Sequence, residues 1–62
     1  MTPAALKLFI MELRALANAT DEDADKLQPL VAGDVARGAA WAYRETANAL
    51  ERQAASRRKA AA

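Results

Sequence analysis

Between Ala4 and Ala19 the chain contains neither glycine nor proline, and Leu6, Phe9, Ile10, Leu13, Leu16 and Ala17 recur at three- and four-residue spacing. That period belongs to an α-helix with one apolar face, and no stretch of the chain alternates as a half-buried strand does. Thr2-Pro3 stands just before it. A threonine hydroxyl accepts from the free N–H groups of a first turn, and a proline at the first helical position gives up an N–H that has no partner there. A helix over residues 3–19 is expected. Alanine supplies 18 of the 33 apolar residues, so the chain forms helix readily but has few large side chains with which to build a core.

Asn18-Ala19-Thr20 reads as a stop followed by a new start. Thr20 is followed three residues later by Asp23, and Asp21-Glu22-Asp23 crowd acids into what would be a positive first turn. Pro29 then limits this second segment to about 21–28, since an interior proline removes a hydrogen bond and clashes with the turn before it. Residues 30–57 are again rich in Ala, Arg, Glu, Leu and Gln, interrupted by Gly33 and Gly38. The expected fold is all-α: one domain over residues 1–57, forming a helical hairpin with a short first helix and a long second arm kinked at Pro29. A basic, alanine-rich tail over 58–62 has no bulky residue to anchor it and is expected to fray.

The composition closes off most chemistry. Cysteine and histidine are absent, which removes disulfides, thiolate nucleophiles, the usual zinc ligands and the side chain that titrates near neutrality. Asp21, Asp23 and Asp25 alternate like the opening of a calcium loop, but Lys26 stands where that loop needs glycine and Ala32 where it needs glutamate. Thr46 and Ser56 have no histidine beside them and no plausible lysine base, and no glycine-rich phosphate loop occurs. No enzyme activity, metal or cofactor is expected. No apolar run approaches the roughly 18 residues of a membrane span, and the N-terminus lacks a charged region leading into an apolar stretch. A cytoplasmic protein is the expectation.

Projected at about 100° per residue, the first helix carries two apolar arcs. Leu6, Phe9, Ile10, Leu13, Leu16 and Ala17 make the expected main seam, while Ala4, Leu8, Met11 and Ala15 lie on a second arc that the same partner helix does not reach. With a thin core and no disulfide or metal to supplement it, self-association is the remaining route to stability. Leu8, Met11 and Ala15 are therefore expected at an interface between copies, in a homodimeric four-helix bundle or a higher helical oligomer. On the second arm Val35, Ala36, Ala39, Ala42, Tyr43, Ala47, Ala49, Leu50 and Ala54 form a broad face of mostly small residues, with Gly38 at its border. Trp41 projects from the other side, with Arg37, Arg44, Glu45 and Asn48 around it, a composition typical of a protein-binding hot spot.

Net charge is +1, but its distribution is uneven: +1 over residues 1–19, −4 over 20–34 and +4 over 35–62. The competing reading is a small nucleic-acid-binding protein with Arg37, Arg44, Arg52, Arg57, Arg58 and Lys59 as a basic stripe. Glu45 and Glu51 interrupt that stripe, and the acidic segment belongs to the same domain.

The stretch from Asp34 to Arg52, with its Ala36-Arg37-Gly38 and Ala42-Tyr43-Arg44-Glu45 followed by Ala47 and Leu50, resembles a pattern common in short, alanine-rich helical proteins of high-GC actinobacteria and their phages. No general activity is known for such proteins, so the resemblance implies only a bacterial or phage accessory protein, in the host cytoplasm or the virion. In length and hairpin form the chain is also similar to plasmid-encoded RNA-binding helical hairpins, a likeness of architecture alone. The function expected is that of a non-catalytic adaptor, inhibitor or structural component that binds itself and another protein.

Overall fold

The structure is a computed structural model that describes residues 1–61. It contains two helices, α1 (Pro3–Leu27) and α2 (Val31–Ala61), folded into an antiparallel hairpin. At about 1.5 Å per residue the arms span roughly 37 and 46 Å, consistent with a longest molecular extent of 49 Å.

The start of α1 is as expected. Thr2 is extended, with φ −72° and ψ 157°, its Oγ1 accepts from the Ala5 N–H at 3.1 Å, and Pro3 takes the first turn. The expected break at Asn18-Ala19-Thr20 does not occur. α1 runs through it, and Thr20 Oγ1 donates back to the Leu16 carbonyl at 2.7 Å instead of capping a new helix. The acids that follow are not first-turn ornaments either, because Asp21 and Asp25 reach across to arginines of α2.

Pro29 is the bend of the hairpin, not a kink within one arm. Gln28, the residue before it, takes the extended conformation that proline imposes on its predecessor, with φ −66° and ψ 143°. The Leu30 N–H then reaches the Leu27 carbonyl at 2.8 Å and the Gly33 N–H reaches Leu30 at 2.9 Å. The arms, of 25 and 31 residues, are thus better matched than the expected short helix and long arm. The basic end expected to fray from residue 58 is helical through Ala61. Ala62 lies outside the described residues.

One seam joins the arms. On α1 the inward positions are Leu6, Ile10, Leu13, Ala17, Thr20 and Ala24; on α2 they are Gly33, Ala36, Ala40, Tyr43, Ala47, Leu50 and Ala54. Both sets step by four and three residues in turn, the spacing of a coiled-coil seam. The large residues gather toward the open end, where Leu6, Tyr43 and Leu50 pack on Ile10, Leu13 and Ala47. Toward the bend the seam is alanine and glycine. A Cβ added at Gly33 would meet the Ala24 carbonyl oxygen at 3.1 Å, which measures how closely the backbones approach there.

Two expectations about this seam are corrected. Phe9 and Leu16, placed in it by their size, are 41% and 50% exposed. On α2, Val35, Ala39 and Ala42 face outward, while Gly33 and Ala40 take inward places. Gly38, a position where a crossing helix was conceivable, has nothing near its missing side chain.

Candidate interaction surfaces

The hairpin has two long edges, and they differ in kind. On one lie all the cross-helix polar contacts found among the described residues. The Arg14 guanidinium donates to Glu51 Oε2 at 2.7 Å and to Asn48 Oδ1 at 3.1 Å. Arg44 donates to Asn18 Oδ1 at 2.9 Å and pairs with Asp21, and Arg37 donates to Asp25 Oδ1 at 2.6 Å. These contacts fix the register, setting Arg14 opposite residues 48–51, Asn18 opposite Arg44 and Asp25 opposite Arg37.

Arg14 holds the Glu51 carboxyl below its ordinary value of 4.5, through the hydrogen bond first and the charge second. The same contacts raise Arg14 and Arg37, in each case with the carboxylate hydrogen bond as the largest cause. Because the Glu51 value is lower in the folded chain, its contribution is present above the ordinary carboxylate range and is lost as pH falls through the lowered value. Both partners are open to water, so the contribution is small.

The five residues singled out around Trp41 therefore divide. Arg37, Arg44 and Asn48 hold α1, while Trp41, 65% exposed, and Glu45 face outward. The indole stands one turn from two guanidinium groups already fixed in place, which presents an aromatic surface with little left to order on binding. Leu8, at 60%, Met11, at 57%, and Ala15 lie exposed on the side of α1 turned away from α2.

The opposite edge was not legible as a surface, because Phe9, Leu16, Val35 and Ala39 were all read as facing the partner arm. Continuing the register given by the polar contacts, Phe9, Leu16 and Leu27 of α1 lie on this edge with Val35 and Ala39 of α2. No cross-helix polar contact is found on it among the described residues. Its two threonine hydroxyls are satisfied within their own helices, Thr20 by Leu16 and Thr46 by the Ala42 carbonyl at 2.8 Å.

Of the basic stripe, Arg37 and Arg44 are engaged with acids, whereas Arg52, Arg57, Arg58 and Lys59 gather at the open end with Lys7. There the first turns of α1 and the last turns of α2 bound a trough of about 860 Å³, floored by Leu6, Ile10 and Ala54 and rimmed by Lys7, Arg52, Arg57 and Arg58. Among the described residues no cluster of metal-ligating side chains occurs and no helix is long and apolar enough to cross a membrane.

Compared with protein families, curated proteins and solved structures, the chain matches none.

Proposed function

We propose that the protein is a non-catalytic helical interaction module that works as a homo-oligomer and offers Trp41 to a second protein, as an adaptor, inhibitor or structural component. The observation that carries this reading is the imbalance between what one hairpin covers and what it leaves bare. Its buried core is Ile10, Leu13 and four alanines, and no large side chain among the described residues is fully buried; Leu8, Met11, Leu16, Leu30, Val31, Val35 and Trp41 are each at least half exposed. Apolar patches on this scale mark association surfaces. Sedimentation equilibrium from sub-micromolar to high micromolar concentration tests it, with a concentration-dependent rise in mass expected. A fully helical monomer across that range would overturn it. The Trp41→Ala variant is expected to keep helicity and oligomer mass, since the indole is 65% exposed and takes no inward place in the seam.

The nucleic-acid reading is favoured by one feature, the five cations at the open end. Duplex DNA or RNA binding that weakens steeply with added salt would support it, and absence of binding at low salt would remove it. The suggestion of a bacterial or phage accessory protein rests on the resemblance of residues 34–52 alone.

A further inference from the structure

We infer that two copies pack antiparallel through the edge that carries Phe9, Leu16, Leu27 and Val35, so that the bend of each hairpin lies against the open end of the other. This rests on the homo-oligomeric reading above and gives it a surface and a direction.

Two apolar tracts compete for the role. Leu8, Met11 and Ala15 belong to one helix and span about two turns near one end. The edge is built from both helices and runs nearly the length of the hairpin, from Ala5 beside Arg57 to Leu27 beside Val35. Burying it brings all four helices of two copies together, as a four-helix bundle requires. Phe9, Leu16, Leu27 and Val35 are 41%, 50%, 36% and 68% exposed along it. A threonine in such a strip ordinarily resists burial, because its hydroxyl loses water. Here Thr20 and Thr46 already hold carbonyl oxygens of their own helices, so covering them leaves no unpaired donor.

Charge selects a second copy of this chain as the occupant, and selects its direction. The bend end carries Asp21, Glu22, Asp23, Asp25 and Asp34 against Lys26 and Arg37, with Asp25 held by Arg37 and Asp21 by Arg44, and the open end carries Lys7, Arg52, Arg57, Arg58 and Lys59. The two ends of one molecule are thus complementary to each other. In a parallel pairing each end lies beside the same end of the other copy, so basic open end meets basic open end and acidic bend meets acidic bend. Like charges held opposite one another are destabilising. The antiparallel pairing separates them and brings Asp23, near one bend, toward Arg57 of the other copy's open end. In this pairing α1 lies against α1 of the other copy and α2 against α2. Trp41, on the other side of α2, stays uncovered.

Because the chain has no cysteine, single thiols report direction cleanly. Ala5→Cys marks the open end of the edge on α1 and Leu27→Cys its bend end; antiparallel copies, with α1 against α1, bring these two positions together, whereas parallel copies, with α1 against α2, bring Leu27→Cys beside Val35→Cys. Mixed pairwise in equal amounts and mildly oxidised, the Ala5 and Leu27 variants are expected to give a mixed disulfide and the Leu27 and Val35 variants none. A Leu27–Val35 mixed disulfide without an Ala5–Leu27 one would overturn the direction while leaving self-association intact. A dimer by sedimentation that forms neither, and that Leu8→Gln with Met11→Gln dissociates, would place the interface on the other tract. A monomer at every concentration would overturn both this inference and the reading it rests on. Phe9→Gln with Leu16→Gln is expected to weaken dimerisation at least tenfold. If that variant loses its helices, the disulfide pattern alone decides.

Discussion

Ala17, Ala24, Ala40 and Ala47 are fully buried, and each stands where a bulkier residue would drive the helices apart. Alanine at such a site contributes little apolar area but permits close backbone approach, so its value lies in shape. Ala47→Leu is accordingly expected to destabilise the chain by about 1–3 kcal/mol through overpacking. Ala54 occupies the same seam two turns further on, where it borders the open trough. Ala54→Leu lays its side chain over Leu6 and Ile10 and is expected to stabilise by about 1 kcal/mol. Urea unfolding of the two variants reads the opposite signs directly; losses of equal size would show that the open end is as tightly closed as the middle. The glycines make a similar pair. At Gly38 an added Cβ meets nothing, so Gly38→Ala is expected to gain about 0.5–1 kcal/mol of helix propensity. At Gly33 the same Cβ sits 3.1 Å from both the Ala24 carbonyl oxygen and Gln28 Nε2. The glutamine side chain can move, but the α1 carbonyl is held in its helix. Gly33→Ala is therefore expected to melt no higher than the parent, while Gly38→Ala melts above it.

At the scale of the elements, what was legible in the sequence is what local chemistry decides alone. Thr2-Pro3 starts a helix because the cap and the proline act within one turn, and the glycine- and proline-free run to Ala19 supports nothing else. The continuity of α1 through Asn18-Ala19-Thr20 was not legible, because each of those residues, read locally, is a plausible end or beginning. A capping preference is worth about 1 kcal/mol. Against it stand the pairing of Asp21 with Arg44, that of Asp25 with Arg37, and the burial of Ala24, none of which exists until α2 folds back. The same blindness misplaced Phe9 and Leu16. Ranking positions by size centres the apolar arc on the bulky residues, whereas the helices meet where the residues are small, on the line through Ala17 and Ala24. The edge surface was hidden for that reason, while Trp41 was legible because its neighbours at helical spacing are charged. The two threonines test the distinction between a cap and an interior residue. Thr2→Ala removes a true cap and is expected to cost about 0.5–1 kcal/mol. Thr20→Ala removes only a bond back to Leu16, a type that does not strengthen helices, and is expected to leave helicity unchanged. Circular dichroism through thermal unfolding distinguishes them, and a larger loss at Thr20 would indicate that a helix boundary does lie there.

For the whole molecule, the decisive quantity is how stability depends on concentration. A hairpin whose core consists of Ile10, Leu13 and alanines, with Leu6, Tyr43 and Leu50 half covered, has a small fraction of its surface removed from water, as expected for so short a chain. Its ion pairs do not make up the difference, because the three among the described residues lie at the water-accessible surface and pairs of that kind contribute little. Association of copies couples to folding by mass action: whatever binds the folded chain and not the unfolded one raises the apparent melting temperature as its concentration rises. Here the binding species is the chain itself, so the melting temperature is expected to climb steadily with protein concentration. Phe9→Gln with Leu16→Gln is expected to flatten that dependence, because these residues add little to the seam and much to the exposed edge. Leu13→Ala, inside the seam, is expected instead to lower the melting temperature at every concentration. A melting temperature independent of concentration in the parent chain would mean that the hairpin stands alone, and the apolar edge would then have to be explained without a second copy.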